Sequence, residues 1–415
     1  MNSSRPIRVV FLSFYFEAWD ALADIYRHML ADPRFDPVVI SIPRRLTGET
    51  TYSGEDRVSE FYNSQGIERL RFDFEDSTIG TAKLRELAPD YVFLNYPWQR
   101  NYQPGYRAET LSEFTKVCQV PYYSFALINE PGDHGVAPYL YTQRSHQLSS
   151  LIFTQDAAVV DAYSKTSRGN SHVHLTGSPK IDSLVNNGRL EKRERYTIVW
   201  APHHSYSSHW LNFGTFAKMH KEMLHFAETH QDVDIVMRPH PFLFGTLAER
   251  GVVNAAELDD WLYAWNALPN TSIETGGDFA SLFKSCDLLL SDGISFIGEY
   301  PLVANKPGVF LENEDHWKFS PIGEIAVEAN WRIQSFAEFA DRFDEVREHG
   351  LGDYSDQIER LRQAASPYPG EAAERIISVL AADFKAATPL VDKASIAELD
   401  RKSTRLNSSH LGISR

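Results

Sequence analysis

Short apolar runs alternate with segments of helical periodicity along nearly the whole chain of 415 residues. Residues 8–13 (Arg-Val-Val-Phe-Leu-Ser) form the first run, and residues 18–30 follow it with apolar side chains at helical spacing. The alternation is still present at residues 288–290, where three leucines stand between polar residues. A short apolar run is typical of a strand buried on both faces, and strands that alternate with helices pair in parallel. The sequence therefore predicts an α/β fold with parallel sheets covered by helices on both faces.

The length of the chain and one polar interval divide this pattern into two halves. A chain of 415 residues exceeds the usual size of a single hydrophobic core. Residues 186–195 are polar and charged, and the alternation starts again at Tyr196. We predict an N-terminal Rossmann-like domain over 1–190, a C-terminal Rossmann-like domain over 191–387, and a tail over 388–415. Two such domains facing each other across a cleft, with ligands beyond the carboxyl ends of the strands, are the simplest architecture.

Individual elements can be assigned in both halves. In the first half, residues 108–117 are predicted to form a helix, and residues 121–127 (Pro-Tyr-Tyr-Ser-Phe-Ala-Leu) the strand that follows it. In the second half, the spacing predicts a helix over 216–230. A long terminal helix is predicted over 370–387, and we assign it to the second domain.

The composition indicates a globular protein that does not bind nucleic acid. The formal net charge of −15 opposes binding to polyanions and tight attachment to an anionic membrane. No apolar run approaches the roughly 18 residues of a membrane-spanning helix, and the first run meets Glu17 too early for a signal peptide. We therefore expect a cytoplasmic protein with at most peripheral contact at the inner face of the membrane. Cys118 and Cys286 stand in apolar surroundings and are interpreted as buried free thiols.

The last residues of the chain break the pattern. Residues 402–415 lack apolar periodicity and resemble the translation of a sequencing adapter. We therefore exclude them from the interpretation of fold and function. A natural disordered terminus is the alternative.

One stretch of the second half, residues 286–311, joins a strand, a polar turn, a helix and a second strand. The run Ser291–Gly293 (Ser-Asp-Gly) ends the strand, and Ser295 precedes apolar residues at helical spacing. A helix N-terminus offers free N–H groups and a partial positive charge, which suit a phosphate. Glu299, inside that helix, could accept hydrogen bonds from ribose hydroxyls. An ordinary β-α-β unit with a capped helix is the alternative.

Two loops of the second half carry histidines directly after predicted strands. His203 and His204 stand in the motif Trp-Ala-Pro-His-His-Ser, and Arg238 and His240 in the motif Met-Arg-Pro-His-Pro. The prolines on both sides of His240 fix the backbone and so the direction of its imidazole, while Arg238 offers a fork of donors suited to phosphate. Neighbouring residues point in different directions, so we expect no metal site from His203 and His204. Polar loop residues with no ligand are the alternative for both motifs.

Three loops of the first half are further candidates. Residues 129–135 (Asn-Glu-Pro-Gly-Asp-His-Gly) contain Glu130 and His134, which could take a proton from an acceptor. The aromatic residues of 96–100 (Tyr-Pro-Trp-Gln-Arg) could stack on an acceptor or simply cover the end of the sheet. Residues 177–182 suit a hinge or the wall of a cleft, and for each loop a plain turn is the alternative. The sequence contains no Walker loop, no GxGxxG motif and no metal-ligand spacing.

Taken together, the motifs resemble those of the CDP-glycerol glycerophosphotransferase family, the teichoic-acid polymerases and primases. In the second half the resemblance rests on four runs, Trp200-Ala-Pro-His-His-Ser205, Arg238-Pro-His-Pro241, Ser291-Asp-Gly-Ile-Ser-Phe-Ile-Gly-Glu-Tyr300 and Lys306-Pro307. The first half resembles a divergent branch of the family at residues 16–20, 31–35 and 87–93. The match extends roughly over residues 8–340. It implies a GT-B fold, with the acceptor in the first domain and the nucleotide donor in the second.

The resemblance also implies roles for single residues. The histidine of the Arg-Pro-His-Pro motif contacts the donor pyrophosphate in the family, and this role carries over to His240 with Arg238 beside it. The Ser-Asp run contacts the donor nucleotide and its phosphates, which carries over to Ser291, Asp292 and Ser295.

Several positions depart from the family pattern. The better-known polymerases carry a Ser-Asp-Tyr-Ser-Ser-like run with an aspartate following it, whereas Ile294 is the fourth residue here and Glu299 takes the acidic place. The His-Gly of the family's first half is matched loosely by His134 and its neighbour. The base is therefore His134 or His203, and His204 is placed with the donor.

The implied activity is the transfer of glycerol phosphate, or a related polyol phosphate, from a CDP-activated donor to a hydroxyl of a cell-surface polymer or glycan, including a lipid-linked one. CMP is the leaving group, and no cofactor or metal is expected. Such a transfer needs aligned reactants, charge stabilisation on the phosphates and a base, for which an imidazole is suited near neutral pH. Two alternatives stay open. One is a GT-B glycosyltransferase or nucleotide-sugar epimerase that uses a UDP- or CMP-sugar, and the other is a non-catalytic sugar- or phosphate-binding module.

Overall fold

The structure is a computed structural model of the chain. It describes residues 5–45, 49–129, 139–207, 209–275 and 279–401. Two parallel sheets, with seven and six strands, form its framework. They confirm the predicted α/β class with two Rossmann-like halves.

The strands are distributed between the two sheets in chain order. Those of the first sheet are β1 (Ile7–Ser13), β2 (Phe35–Ser41), β3 (Arg69–Arg71), β4 (Tyr91–Leu94), β5 (Lys116–Gln119), β6 (Leu151–Thr154) and β7 (Val173–Leu175). Those of the second are β8 (Tyr196–Ala201), β9 (Val233–Met237), β10 (Thr271–Ile273), β11 (Leu288–Ser291), β12 (Val309–Leu311) and β13 (Trp331–Ile333). The spatial orders are β3-β2-β1-β4-β5-β6-β7 and β10-β9-β8-β11-β12-β13. Both begin with the 3-2-1-4-5-6 arrangement of dinucleotide-binding sheets, which places a change of direction between the first and fourth strands.

Helices connect consecutive strands throughout. In chain order they are α1 (Asp20–Ala31), α2 (Glu55–Ser64), α3 (Ser77–Leu87), α4 (Ala108–Leu111), α5 (Arg144–Leu148), α6 (Ala157–Ser164), α7 (Pro179–Asn187), α8 (Phe216–Thr229), α9 (Leu243–Glu249), α10 (Ala255–Ala267), α11 (Phe279–Ser285), α12 (Phe296–Ala304), α13 (Pro321–Glu328), α14 (Phe336–His349), α15 (Ser355–Ala365) and α16 (Ala372–Ala386). None of the described helices is long and apolar enough to cross a membrane.

Strand β1 shows why the apolar runs form buried strands. Val9 and Phe11 belong to one hydrophobic core, and Val10 and Leu12 belong to another. Because successive side chains of a strand point to opposite faces, both faces of the sheet are covered. The two cysteines, at other positions of the chain, are buried free thiols as predicted.

The chain divides into two compact units. The first contains the described residues within 1–124, 131–183 and 366–415, and the second those within 125–130 and 184–365. Helix α16 therefore belongs to the first unit, although the sequence analysis placed residues 370–387 in the second domain. The predicted boundary at residue 190 stays a prediction.

Buried contacts explain the position of α16. Ile376 and Leu380 are fully buried in the same core as strand β1. The hydroxyl of Tyr91 donates to Asp383 Oδ2 at 2.5 Å, and Lys116 Nζ forms an ion pair with the same oxygen at 2.6 Å. The amphipathic pattern of α16 could be read from the sequence, but the partner of its apolar face could not.

The segment after α16 is also packed as far as residue 401. Residues 393–401 are helical, and Ile396 is 5% exposed. The carboxylate of Asp400 accepts hydrogen bonds from Gln147 Nε2 at 3.1 Å and Ser167 Oγ at 2.6 Å. Part of the predicted tail 388–415 is thus attached to the first unit, while residues 402–415 lie outside the described residues.

Two elements of the first half differ from the prediction. The helix predicted over 108–117 is shorter, because β5 already begins at Lys116. Residues 121–127 do not form the predicted strand. Phe125 and Leu127 are buried against Gly298 and Gly323 of the second unit, to which they belong. The apolar run therefore reflects burial in helix packing, not pairing in a sheet.

Candidate functional site

The ends of three strands bring the predicted motifs of the second unit together. Strands β8 and β9 are in register at Trp200 and Met237, and β8 and β11 at Ala201 and Ser291. The hydrogen-bond ladder continues beyond the strands, since the His240 N–H donates to the Pro202 carbonyl at 3.0 Å. The loops after the three strands therefore meet at the carboxyl edge of the sheet, where parallel α/β sheets bind ligands.

Three imidazoles form a cluster at this edge. The rings of His204 and His240 are stacked, with centres 3.6 Å apart and planes 18° apart. The ring of His203 lies 4.7 Å from His204 and 5.3 Å from His240. One ring nitrogen from each of the three lies within 4.8 Å of the others. The prediction that His203 and His204 point apart is therefore wrong, because both rings pack against the ring of His240.

Hydrogen bonds to Nδ1 determine the tautomers of two of these histidines. His203 Nδ1 lies 2.8 Å from Ser205 Oγ and accepts the Ser205 backbone N–H at 3.3 Å. Ser205 Oγ itself accepts the Phe213 N–H at 2.9 Å, so its own proton is directed to His203. His240 Nδ1 accepts the Phe242 N–H at 3.2 Å. A nitrogen that accepts a hydrogen bond carries the lone pair, so the proton of each neutral ring is on Nε2.

The surroundings keep the cluster neutral. Burial lowers the pKa of His203 and of His240 well below the ordinary value, and the neighbouring imidazoles lower both further. Burial, with a smaller effect of Arg250, lowers the pKa of His204 to about 4. The three rings are therefore uncharged near pH 7.

The tautomers favour an anion over a metal ion. A metal needs the lone pair of a ring nitrogen, but at His203 and His240 that lone pair is on Nδ1 and is already used. The Nε2–H groups are hydrogen-bond donors, and several donors in a partly buried site suit a phosphate. His204 adds a buried Nδ1 with no hydrogen-bond partner among the described residues.

Asp292 has a different role from the predicted contact with the nucleotide. Its side chain is 2% exposed. One carboxylate oxygen accepts the His203 N–H at 2.5 Å, and the other accepts the Thr215 N–H at 2.6 Å and its hydroxyl at 2.8 Å. Burial raises the pKa of Asp292 to about 7, although these hydrogen bonds act in the opposite direction. The carboxylate thus joins both ends of the loop 203–215 to β11 and has no oxygen directed to a ligand.

The remaining predicted donor residues differ in their exposure. Ser291 is buried, and its hydroxyl donates to the Ala201 carbonyl at 3.1 Å. Ser295 is partly exposed and precedes α12, as predicted. Glu299 is fully buried in the first turns of α12. Its contact with a ribose stays a prediction. Arg238 is partly exposed, with its guanidinium 5.5 Å from the centre of the Phe279 ring.

The sequence analysis missed Trp210, which lies beside the histidines. Its side chain is 41% exposed, and its ring centre is 5.3 Å from that of His204. Ser207, Ser208 and His209 precede it and Leu211 follows it, and the sequence analysis assigned no element to this segment. The one local signal is a large aromatic residue in a segment otherwise typical of a surface loop.

The candidates of the first half are described only in part. Glu130 and His134 lie outside the described residues, so their role as a base stays a prediction. Tyr96 is 7% exposed and packs against Tyr15, with ring centres 4.8 Å apart, and Tyr122, with ring centres 5.1 Å apart. Its side chain therefore covers the end of the first sheet, the second of the two interpretations given above.

A group of carboxylates in the first unit also has the geometry of a cation site. Glu55, Asp56 and Asp73 place one oxygen each within 4.8 Å of the others. Arg71 already occupies this space, with ion pairs to all three carboxylates. Its charge accounts for the group without a metal ion.

Comparison with known proteins gives a fold but no family. No protein-family model matches the chain, and no curated protein matches it significantly in sequence. Among solved structures, the UDP-GlcNAc 2-epimerase of Neisseria meningitidis bound to UDP-GlcNAc is similar with a TM-score of 0.57 and 12% identity, over 90% of this chain and 99% of that one. The enzyme of the same name from Methanocaldococcus jannaschii has a TM-score of 0.52 and 14% identity, over 90% and 99%.

A second kind of protein has the same fold. A variant of the wall teichoic acid polymerase TagF, soaked with CDPG, is similar with a TM-score of 0.56 and 14% identity, over 93% of this chain and 91% of that one. At such identities the similarity shows the fold alone. The chain has a GT-B-like fold with two Rossmann-like sheets, as these proteins do.

Proposed function

We propose that the protein is a transferase that moves glycerol phosphate, or a related polyol phosphate, from a CDP-activated donor to a hydroxyl of a glycan or polymer. The acceptor oxygen forms a bond to the phosphorus that carries glycerol. The bond from that phosphorus to the CMP oxygen breaks, and the hydroxyl proton passes to a base. The observation that carries the proposal is the histidine cluster, with Nε2–H donors at the carboxyl edge of the second sheet.

The cluster suits the charge that develops in this reaction. As CMP leaves, negative charge grows on the bridging oxygen, and N–H donors fixed in place stabilise that charge without reorganisation. His203 and His240 are fixed by the hydrogen bonds to Nδ1, and the stacked ring of His204 limits the freedom of His240 further. Neutral donors also avoid the cost of burying three positive charges before the substrate binds.

The tautomers divide the roles among the histidines. Nε2 of His203 already carries a proton, so we place His203 with His240 among the donors to the pyrophosphate. The base is then His134 of the first half, whose position stays a prediction. Arg238 and the start of α12 with Ser295 would complete the contacts to the donor, and Asp292 would hold the loop that carries His203.

The motifs given above favour this function over its alternatives, and one solved structure of similar fold, named a wall teichoic acid polymerase and soaked with CDPG, agrees with it. The alternative is a nucleotide-sugar epimerase. It is favoured by the similar fold of proteins named UDP-GlcNAc 2-epimerases, one of them bound to UDP-GlcNAc. Both reactions place a nucleoside diphosphate in the site, so the histidine cluster alone does not separate them.

Product analysis separates these functions. The full chain is incubated with CDP-glycerol and a short poly(glycerol phosphate) acceptor, or with UDP-GlcNAc alone, and the products are identified by chromatography and ³¹P NMR. We expect CMP release that depends on the acceptor, with an acceptor longer by one unit. Conversion of UDP-GlcNAc to its C2 epimer without CMP formation would replace the proposal by the alternative. Nucleotide binding without any product after long incubation would indicate a binding module.

A further inference from the structure

Hydrogen bonds hold the described residues of the loop 203–215, namely 203–207 and 209–215, at the edge of the second sheet. Its two ends share the carboxylate of Asp292, as described above. Inside the loop, the Gly214 N–H donates to the Ser205 carbonyl at 2.9 Å, and Ser207 pairs with Trp210 in a short antiparallel bridge. Compact loops with joined ends are frequent at functional sites.

The backbone next to Trp210 has a conformation that side chains disfavour. Leu211 and Asn212 both have positive φ angles, of +57° and +59°. Asparagine tolerates this region, but a branched apolar residue such as leucine does so at a cost in energy. The cost must therefore be offset by contacts from elsewhere in the unit.

The segment after β12 provides these contacts. The Trp317 N–H donates to the Leu211 carbonyl at 2.9 Å, and Asn313 Nδ2 donates to the Asn212 carbonyl at 2.7 Å. Asn212 Nδ2 in turn donates to the Asp315 carbonyl at 3.3 Å. This one segment thus holds the strained turn through three hydrogen bonds, and the result is a large aromatic ring that stays 41% exposed beside His204. Burial does not explain this position.

The succession of contacts from Gly293 through the histidines to Trp210 indicates which part of a ligand Trp210 would contact. A Cβ at Gly293, in the turn before α12, would lie 3.4 Å from the ring of His203. His203 contacts His204, and His204 contacts Trp210. The resemblance given above implies that the turn 291–295 contacts the donor nucleotide, and the proposed function places the diphosphate on the histidines. Trp210 then lies at the opposite end of the diphosphate, where the transferred group is attached.

We propose that Trp210 is a specificity-determining residue that packs its exposed ring against the carbon chain or ring of the group carried on the terminal phosphate, a polyol or a sugar. The inference rests on the proposed function for the orientation of the donor. An indole ring offers a broad apolar face at a small cost in side-chain entropy, and the C–H face of a polyol or sugar is a suitable partner.

The test compares donors with and without that group. Isothermal titration calorimetry of the full chain measures the Kd of CDP-glycerol, CDP, UDP-GlcNAc and UDP for the wild type, Trp210→Ala and Trp210→Phe. We expect Trp210→Ala to raise the Kd of the complete donor, the one of CDP-glycerol and UDP-GlcNAc that the wild type binds, by about tenfold. The corresponding diphosphate should stay within about twofold, and Trp210→Phe should keep most of the affinity. His209→Ala is the matched control, because His209 is its exposed neighbour in the same loop.

Every outcome decides between the possibilities. Equal weakening of donor and diphosphate would place Trp210 at the nucleoside or the phosphates, and unchanged affinity for both would show that it touches no ligand; either result overturns the inference. If the wild type binds only the UDP pair, the glycerophosphate proposal fails, but the comparison of UDP-GlcNAc with UDP still tests Trp210. If it binds no nucleotide, both proposals fail. Should Trp210→Ala lower the melting temperature, Trp210→Gln replaces it, since this variant removes the aromatic face and keeps a longer side chain.

Discussion

We expect the free energy of unfolding of the second unit to fall on acidification, because the histidine cluster is neutral in the folded protein. The folded pKa values of His203, His204 and His240 are lowered, so the unfolded chain binds protons below about pH 6.5 that the folded chain does not. The stability that depends on these neutral rings is present above that pH and is lost as the pH falls. Asp292 acts in the opposite sense, because its pKa is raised to about 7 and its contribution is lost as the pH rises from about 4 to 7.

The size of the pH dependence follows from the difference in bound protons between the unfolded and the folded state. Among the four groups of this cluster, three histidines against one aspartate leave the unfolded state with up to two more bound protons between about pH 4 and 6.5. Each proton changes the free energy of unfolding by about 1.4 kcal/mol per pH unit, so the slope is up to about 2.7 kcal/mol per pH unit. For His204, the decrease of the pKa from 6.5 to about 4 corresponds to about 3 kcal/mol in total.

Urea denaturation at a series of pH values measures this slope. Six of the eight tryptophans lie in the second unit, so intrinsic fluorescence follows mainly that unit. The comparison is between the wild type and His204→Gln from pH 7.5 to 4.5. We expect the unfolding free energy of the variant to change less steeply with pH, by up to the contribution of one proton, about 1.4 kcal/mol per pH unit. Carboxylates that titrate elsewhere contribute equally to both proteins.

Two results would contradict this reasoning. A wild-type stability that stays constant or rises from pH 6.5 to 5 would mean that the imidazoles are already protonated in the folded protein. If the unfolding free energies of the wild type and His204→Gln change equally with pH, His204 is already protonated in the folded protein. In either case the neutral Nε2–H donors would have to be replaced by a cationic cluster in the proposed mechanism.

Three further predictions concern single sites. His240→Ala should lower kcat with CDP-glycerol by about 10²–10³, because one hydrogen-bond donor to the leaving group is lost, and should leave the melting temperature unchanged. If His240→Ala keeps near-normal turnover while His203→Ala is impaired, the donor to the leaving group is His203. Gly214→Ala should cost about 1–3 kcal/mol in urea denaturation, since a Cβ there would lie 2.5 Å from the ring of Tyr206, and adding Tyr206→Leu should restore most of it. An unchanged single variant would contradict this packing. Truncation after Asp400 should leave melting temperature and turnover within error, and a loss of either would show that the removed residues are docked.

The sequence contained enough information to bring the histidines together. Both loops directly follow apolar runs, and parallel strands place their carboxyl ends at one edge. The positions of His203 and His240 near each other follow from these two facts. The sequence could not give the orientation of the rings, since this depends on hydrogen bonds from Ser205 and Phe242 in the folded loops.

The role of Asp292 shows what the sequence leaves undetermined. An aspartate between a strand and a helix has the same local pattern whether it binds a ligand or backbone N–H groups. Its partner Thr215 lies 77 residues earlier in the chain. A pairing over this distance is fixed by the tertiary fold and leaves no local signal. The same holds for residues 121–127, which suit a strand, although Phe125 and Leu127 pack against helices α12 and α13.

The return of α16 to the first unit has a consequence for how the chain folds during synthesis. The core around β1 needs Ile376 and Leu380, which leave the ribosome long after the strands they cover. The second unit, in contrast, has all its segments available once residue 365 has been made. Domains generally fold as units during translation, and contacts between distant residues form slowly. The half that is synthesised first is therefore the half that is completed last, with an uncovered apolar face that chaperones can bind until the C-terminal helix emerges.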